Sequence, residues 1–417
     1  MKPATLQQPD YFDAFHCINS ACEDTCCVGW IVHIDKATYG KYQTCSSPEL
    51  GHSLRTLITI NEKGSSEEDF AQIVPHESGC LFLSEGLCSV QVQLGEQYLS
   101  NMCATYPRVM NRVDGVLQRS LDLSCPEAAR MVLLNPKPME FSEQEYQDGS
   151  IRLANYPAVD LSSLKGSAER YRFFRDVKRL VIAVLQNRSH PVWKRLFVLG
   201  CLCGKLDEMT GDLNGIQSYL DSLNQGMLDD LLANCPVQPG GQLEIVLELM
   251  VARISSESNP RRFLECYREF IHGLQWTAHS TAEELANHYA DAYSQYYVPL
   301  MSRHEHIFEH YLVNYAYRTL FPFGLPESNL RLRNDRVGSP LAAQYMLLGA
   351  YYAIARTLLI GMAGFHKSAF SVDHVIKLIQ SCAKTFEHSL TYPGQVIDML
   401  AEKKMTTPES LCVLFRI

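Results

Sequence analysis

The spacing of apolar positions changes along the chain, and the change separates two kinds of structure. After about residue 160, apolar residues recur with the period of an α-helix. One such face consists of Val177, Leu180, Val181, Val184 and Leu185, and another of Ile307, Phe308, Tyr311, Leu312 and Tyr315. Prolines and glycines punctuate these segments, which suggests roughly nine or ten helices. We therefore predict an all-α helical domain over residues 150–417.

Residues 1 to about 130 alternate short extended runs with turns. The runs WIVHID and FAQIVPH are typical of short strands, and Asp114-Gly115 between apolar residues predicts a hairpin. The segment from Asn135 to Ser150 contains two prolines, many polar groups and little periodicity. These features are typical of a domain boundary. Residues 1–135 are accordingly predicted to form a compact, irregular region.

One segment is long and apolar enough to span a bilayer. Leu341 to Gly364 has few polar residues, but Arg356 lies within it, where a charge in lipid is costly. The apolar residues also form one stripe of an ordinary helix. A central buried helix is favoured over the alternative of a membrane span. Met1 to Phe15 lacks the apolar core of a secretory signal.

Composition and charge exclude several classes of protein. Hydrophobic residues make up 46% and charged residues 20%, so wholesale disorder and fibrous structure are excluded. Lysine and arginine total 37 against 46 acidic residues, for a net charge of −9. This balance argues against a general nucleic-acid-binding face, so no nucleic-acid partner is predicted.

Cysteines are concentrated in the N-terminal region. Of 15 in the chain, nine lie between Cys17 and Cys125. Disulfides and metal binding are the two explanations for such a dense set. Disulfides staple small secreted domains, whereas this chain has no export signal and is long enough to build a core. Metal binding by thiolates in a reducing cytoplasm is therefore the favoured interpretation.

Eight of these cysteines are the candidate metal ligands: Cys17, Cys22, Cys26, Cys27, Cys80, Cys88, Cys103 and Cys125. Eight thiols suffice for two four-coordinate sites, or for one site with structural spares. The sequence contains no C-x2-C knuckle and no C-x3-C-x2-C loop, so spacing leaves zinc and iron both open. Cys45 and the six later cysteines are predicted to be small buried hydrophobes. The predicted fold class is mainly α, with an irregular cysteine-rich metal-binding N-terminal region and an all-α C-terminal domain.

These cysteine segments resemble a known family. The segments FHCINSACEDTCCVGWIVHID, GCLFLSEGLCSVQVQLGEQYLSNMCATYPRV and SLDLSCPEAA, with HIFEHYLVNYAYRTLFPFG in the helical half, are similar to the flagellin lysine-N-methylases. The eight cysteines stand in order with the Tyr106-Pro107-Arg108 tripeptide and the Gly29-Trp30 step. The resemblance implies methylation of flagellin lysine ε-amino groups with S-adenosylmethionine as donor. It also implies that the cysteines hold an iron–sulfur cluster, expected to be [4Fe–4S].

Neither common nucleotide-binding motif accompanies this resemblance. No G-x-G-x-x-G follows a predicted strand and no Walker loop is present, so a Rossmann-type methyltransferase domain is unsupported. His304, His306 and His310 lack the H-E-x-x-H order of a zinc protease, and the many tyrosines are interpreted as packing residues. The catalytic and donor-binding residues are therefore not predicted. A non-enzymatic iron- or zinc-binding adaptor with a helical partner-docking domain is the alternative function.

Overall fold

The computed structural model describes residues 4–28, 31–61, 66–76, 79–146, 158–159, 173–208, 212–233, 235, 237–255, 260–324, 329 and 331–417. Gly29 and Trp30 therefore lie outside the described residues, as do positions 147–150 of the predicted boundary. Contacts divide the chain into two compact units. The first comprises Met1–Ala128 and Glu140–Val159, and the second comprises Ala129–Met139 and Asp160–Ile417.

The described residues of the first unit contain three sheets. Their strands are β1 (Ala4–Pro9), β2 (His33–Ile34), β3 (Ile58–Ile60), β4 (Ala71–Ile73), β5 (Leu83–Ser84), β6 (Leu87–Cys88), β7 (Arg108–Val113), β8 (Val116–Leu121), β9 (Phe141–Tyr146) and β10 (Ala158–Val159). The largest sheet has the order β10-β7-β8-β1-β9. The predicted hairpin is confirmed: β7 and β8 pair antiparallel, and Asp114 and Gly115 between them have φ of 47° and 79°. Two positive φ values in a two-residue turn match the twist of the strands.

Strand β9 lies within the segment that the sequence suggested was a boundary without regular structure. It pairs antiparallel with β1 over six residues, from Pro9 opposite Phe141 to Ala4 opposite Tyr146. The four residues between Phe141 and Tyr146 are exposed, so β9 has no buried face to generate an alternating pattern. Backbone pairing at the edge of the sheet, rather than side-chain burial, defines this strand.

Short helices complete the first unit around an apolar core. They are α1 (Lys36–Gln43), α2 (Gly51–Thr56), α3 (Ser89–Leu94) and α4 (Asn101–Thr105); α5 (Pro126–Leu133) crosses the division between the units. Strands β2, β4 and β3 form a small sheet beside them. Ile34, Leu54, Ala71 and Phe82 are among the buried core residues, and Cys80, Cys88 and Cys103 pack against this core.

The described residues of the second unit contain helices, turns and loops but no strand, in agreement with the predicted all-α character. The α-helices in these residues are α6 (Phe174–Leu185), α7 (Val192–Glu208), α8 (Leu213–Ser222), α9 (Leu228–Ala233), α10 (Pro239–Ile254), α11 (Arg261–Gly273), α12 (Ala282–Ala292), α13 (Val298–Met301), α14 (His306–Arg318), α15 (Pro340–His366), α16 (Val372–Cys382), α17 (Tyr392–Glu402) and α18 (Pro408–Leu411). Helices α6 and α14 carry the two apolar faces predicted from the sequence.

Helix α15 is the buried centre of this unit. It is long and apolar enough to cross a bilayer, but its most apolar 18-residue window is completely buried inside the protein. Arg356 is buried with it and donates a hydrogen bond to the Phe415 carbonyl at 2.7 Å, with the Tyr293 ring 5.4 Å away. The prediction of a central buried helix is confirmed.

Helices α11 and α15 approach closely because glycines face each other. A Cβ atom on Gly273 would lie 1.8 Å from the Gly361 carbonyl oxygen, and one on Gly364 would lie 2.8 Å from the Gly273 carbonyl oxygen. A Cβ atom on Gly361 would lie 2.3 Å from the Phe270 ring. No larger residue fits at these positions without moving backbone. This close approach brings the C-terminal ends of the two helices together.

Candidate metal centre

Five of the eight predicted metal ligands line one cavity in the first unit. Cys26, Cys27, Cys80, Cys88 and Cys103 surround a cavity of about 60 Å³. The rest of its wall is largely apolar and includes Val32, Ile34, Ile73, Phe82, Val90 and Leu99. The structure therefore brings together thiols from three separate stretches of the sequence.

Glycines and backbone hydrogen bonds position the first four of these thiols. The Cys80 amide donates a hydrogen bond to the Cys27 carbonyl oxygen at 2.8 Å, which joins the stretch that contains Cys80 to the stretch that contains Cys27. A Cβ atom on Gly79 would lie 2.7 Å from that same carbonyl oxygen, and Gly79 has a φ of 102°. Gly86, with a φ of 80°, lies in the turn between β5 and β6, and this hairpin presents Cys88 to the cavity. Both glycines adopt the left-handed region that other residues rarely occupy.

Helix α4 supplies the fifth thiol. The Ser100 hydroxyl caps the helix by accepting a hydrogen bond from the Cys103 amide at 3.2 Å. The buried Asp35 carboxylate accepts hydrogen bonds from the Thr38 and Asn101 amides, each at 2.9 Å. One carboxylate therefore satisfies amides at the starts of both α1 and α4, which places Cys103 relative to the core.

The surroundings of Cys103, Cys80 and Cys27 favour the neutral thiol. Burial, together with the neighbouring thiols Cys88 and Cys80, raises the pKa of Cys103 to about 12, although a hydrogen bond with Ser100 acts in the opposite direction. Burial also raises the pKa of Cys80. A hydrogen bond with Cys26, followed by burial, raises the pKa of Cys27. A metal bound here would have to displace protons, so binding would release them and depend on pH.

The other three predicted ligands do not line this cavity. Cys17 is exposed, whereas Cys22 and Cys125 are partly buried. Burial raises the pKa of Cys125 to about 12, the amides of Glu127 and Ala128 at the start of α5 lower it, and Cys22 and Cys17 raise it. Electrostatic effects of Cys17 on Cys22, and of both on Cys125, indicate that these three thiols lie near one another.

The donor set fits an iron–sulfur cluster in its chemistry. Soft thiolates are the ligands that such clusters require. Among the residues described, no group of three or more His, Cys, Asp or Glu side chains is placed to hold a metal ion. A single tetrahedral ion draws its four ligands close together, whereas each iron of a cluster takes its own cysteine. Thiolates are also the ligands of structural zinc, so the donor set by itself is compatible with a cluster and with zinc.

The remaining cysteines are packing residues, as predicted. Cys45, Cys201, Cys203, Cys235, Cys266, Cys382 and Cys412 are all buried. Burial raises the pKa of both Cys201 and Cys266 to about 12. Thiols in such surroundings are inert small hydrophobes.

Three histidines lie in helix α14 or just before it, and they do not converge on a common point. The His304 and His306 ring centroids lie 5.7 Å apart, and those of His306 and His310 lie 6.2 Å apart. His310 is buried and its Nδ1 lies 2.7 Å from the Val132 carbonyl oxygen. Burial, followed by the proximity of His310, lowers the pKa of His306. The hydrogen bond between His310 and Val132 links helix α14 to the end of helix α5.

The helical part of the chain matches a known family. Residues 178–414 match the model of the FliB lysine N-methylase C-terminal domain, which is more than half of the chain. The chain belongs to the FliB lysine N-methylase family. The resemblance predicted from the cysteine segments is thereby confirmed.

Two curated relatives of this FliB-family chain are named Lysine-N-methylase, from Salmonella typhimurium and Salmonella choleraesuis. Each is 32% identical over 145 residues, which is 34% of this chain and 36% of the relative. The chain thus matches about a third of the length of these relatives. The Flagellar biosynthetic protein FliU of Salmonella muenchen is 32% identical over 146 residues, 35% of this chain and 86% of the relative. No solved structure matches the chain.

A buried ion cluster within the family-matched segment was not predicted from the sequence. Arg188 donates three hydrogen bonds to the Glu309 carboxylate, at 3.2, 2.9 and 2.8 Å, and Arg195 donates a fourth at 2.6 Å. The side chain of Glu309 is 1% exposed. Burial alone would raise the pKa of Glu309, but the hydrogen bonds from the two arginines lower it below the ordinary value. More than a hundred residues separate the partners along the chain, so no local pattern reveals the cluster.

The tyrosines of the family-matched segment are mainly packing residues. Tyr289 is buried and donates a hydrogen bond to the Gln242 side-chain oxygen at 2.8 Å. Burial raises the pKa of Tyr289 and Tyr352 to about 12. Such phenols stay protonated at neutral pH and can serve as hydrogen-bond donors, but not as proton acceptors.

Proposed function

We propose that this protein is an S-adenosylmethionine-dependent methyltransferase that methylates the ε-amino groups of surface lysines on flagellin. The family match over residues 178–414 carries this proposal, because the family is named for lysine N-methylation. Two relatives bear the same name, and the flagellar name of the Salmonella muenchen relative supports flagellin as the substrate. The reaction is expected in the cytoplasm, before the flagellin subunit is exported.

An iron–sulfur cluster, expected to be [4Fe–4S], belongs to the same proposal. Cys26, Cys27, Cys80, Cys88 and Cys103 provide more than the four thiols that such a cluster needs. Neighbouring side chains cannot easily turn both sulfurs towards one ion, so Cys26 and Cys27, whose side chains hydrogen-bond to each other, are expected to contribute one ligand between them. We expect the other three candidate ligands, Cys17, Cys22 and Cys125, to serve a second metal site or a structural role. When bound, a cluster supplies thiolate-anchored irons that can fix the fold, bind polar groups or exchange electrons.

Methyl transfer to a lysine requires little beyond orientation and loss of a proton. The ε-ammonium group of lysine first gives up a proton, because only the neutral amine has a lone pair for attack. The nitrogen then forms a bond to the methyl carbon while the carbon–sulfur bond breaks and its electron pair moves to the sulfonium sulfur. The products are a methylated ammonium and a neutral thioether. An aligned amine and sulfonium therefore suffice for the chemical step.

A metal-binding adaptor is the second candidate. The described residues of the second unit contain no strand, and the sequence has no G-x-G-x-x-G motif. A Rossmann-type donor site is thus unsupported in this unit. If the helical unit only docks a partner, the cysteines could hold iron or zinc without any transfer of a methyl group.

The activity is tested with anaerobically purified full-length protein, flagellin and isotopically labelled S-adenosylmethionine. We expect the mass of flagellin to rise in steps of one methyl group, with the label on lysine nitrogens. Parallel reactions with and without a strong reductant separate polar transfer from radical transfer. If protein with its full metal content neither binds the donor nor transfers a methyl group, the proposed methyltransferase activity is contradicted and the adaptor function is supported.

The metal proposal has its own experiment. We expect about four irons per chain and a charge-transfer absorption in the visible, as for a cubane cluster. Substitution of Cys80, Cys88 or Cys103 by serine should remove both signals. Cys201→Ser and Cys266→Ser are matched controls in buried packing positions and should retain the iron. Colourless protein with stoichiometric zinc would contradict the cluster.

A further inference from the structure

A carboxylate–imidazole pair lies where helices α11 and α15 end together. His366 Nε2 lies 2.9 Å from Glu269 Oε2, and both side chains are 18% exposed. The two residues are 97 positions apart along the chain. The glycine contacts between α11 and α15 bring them within reach, because Gly273 lies four residues after Glu269 and Gly364 lies two residues before His366.

The pairing fixes which nitrogen of His366 is basic. A carboxylate only accepts hydrogen bonds, so Nε2 of the neutral ring carries the proton and donates it to Glu269. The described residues offer no hydrogen-bond partner to Nδ1 of His366. Its lone pair is therefore available to accept a proton, as in a carboxylate-oriented histidine base.

Two neighbours from α16 hold this pair in place. The His374 ring stacks on His366 with centroids 3.8 Å apart. His374 Nδ1 accepts a hydrogen bond from the Ser371 amide at 3.1 Å, so the neutral His374 ring carries its proton on Nε2. Lys377 Nζ lies 3.6 Å from Glu269 Oε1 and 3.1 Å from Glu265 Oε2. The stacking restrains the plane of His366, and the ammonium group of Lys377 restrains the carboxylate of Glu269.

Charged and titratable groups face the pair from two helices. Burial, followed by the proximity of His366, lowers the pKa of His374, so His374 takes up a proton at a lower pH than an ordinary histidine. Glu269 and Glu265 approach from α11, and Lys377 and Asp373 belong to α16. When His366 accepts a proton, its positive charge lies next to the carboxylate of Glu269.

The surface beside the pair suits a lysine side chain. The Phe365 ring is 44% exposed, and its centroid lies 4.9 Å from that of His366. An exposed aromatic face can cover the four methylene groups of a lysine while the amino group reaches beyond it. Carboxylates next to the imidazole favour the approach of a cationic group.

From this arrangement we infer that His366 is the proton acceptor for the substrate lysine, and that Glu269 is its positioning residue. This inference rests on the proposed function. The lysine ammonium transfers its proton to His366 Nδ1, the neutral amine attacks the sulfonium methyl carbon, and the imidazolium returns the proton to water. Ser371, His374 and Lys377 act through the pair by fixing its geometry.

Chemical rescue tests this role against a structural one. His366→Ala should lower the rate of methyl transfer to flagellin by about 10²–10⁴-fold, the usual contribution of general base catalysis. Added imidazole should restore part of the rate, and Glu269→Gln should lower kcat with little change in KM. His279→Ala is the matched control, because His279 is exposed and makes no side-chain hydrogen bond in the described structure. It should retain the wild-type rate.

A second readout does not need activity. Nitrogen-15 shifts of histidine-labelled full-length protein should show His366 with its proton on Nε2, and Glu269→Gln should change this signal. A proton on Nδ1, or a His366→Ala protein of wild-type rate, would overturn the role of His366 alone. If a folded His366→Ala protein loses activity and imidazole does not restore it, the His366–Glu269 pair is a structural ion pair and not a proton acceptor. A wild-type protein that transfers no methyl group would overturn the proposed function, and the role of His366 with it.

Discussion

Single buried charges in this protein are stable only because specific partners surround them. Glu309 accepts three hydrogen bonds from Arg188 and one from Arg195, and the side chain of Arg195 is 4% exposed. Taking such charges out of water costs several kcal/mol for each ion unless the geometry of the pair compensates. The cluster is therefore sensitive to the loss of one partner.

Replacement of Glu309 by glutamine should lower the free energy of unfolding by about 3–5 kcal/mol at pH 7, because two arginines lose their buried counter-ion. The folded-state pKa of Glu309 is lowered, so its stabilisation is present above the unfolded pKa of about 4.3. It is lost as the pH falls through the folded pKa. Urea unfolding at pH 7 and at lower pH should show the difference between the two proteins shrinking towards acid.

The matched control is Glu248→Gln, which breaks an exposed ion pair. Glu248 and Lys403 lie 2.8 Å apart, with side chains 42% and 34% exposed. Surface pairs contribute about 0–1 kcal/mol, so this variant should unfold close to the wild type. Equal losses of unfolding free energy in Glu309→Gln and Glu248→Gln would show that the buried ion cluster adds no more stability than a surface ion pair.

At the scale of elements, the sequence predicted those features that a local pattern encodes. The Asp114-Gly115 hairpin and the apolar faces of α6 and α14 were predicted because turn residues and period are local. Strand β9 was missed because its residues are mostly exposed and its partner β1 lies more than 130 positions away. The His366–Glu269 pair was missed for a related reason: it exists only because two helices meet at glycines.

That contact predicts the effect of one added methyl group. Gly273→Ala places Cβ against the Gly361 carbonyl oxygen, and backbone cannot yield as a flexible side chain can. We expect a loss of about 1–3 kcal/mol from overpacking, measured by urea unfolding. The helices should also separate, and the nitrogen-15 signal of His366 should change with them.

Gly204→Ala in α7 is the matched helical control. A Cβ atom there would have no heavy atom within 4 Å. Alanine is the better helix former by about 1 kcal/mol, so this variant should be as stable as the wild type or more so. A Gly273→Ala protein that behaved in the same way would contradict the close approach of α11 and α15.

At the scale of the whole molecule, the two units depend on different sources of stability. The second unit has a long buried helix and a continuous apolar interior. In the first unit, thiols from three stretches of the sequence lie around a cavity against a smaller core. Spacing alone left eight candidate ligands in one set, because the sequence does not encode which turns converge. The structure divides them into five and three.

If the first unit holds the proposed cluster, removal of its iron should destabilise that unit and spare the other. A group that binds the folded state alone adds its binding free energy to the stability of that state. After anaerobic removal of iron with a chelator, amide hydrogen exchange should accelerate in peptides from residues 31–61 and 79–106. Peptides from α15 in the same sample provide the internal control and should exchange at the original rate. Acceleration of equal size in α15, or none in the cysteine segments of protein shown to have lost its iron, would contradict this assignment.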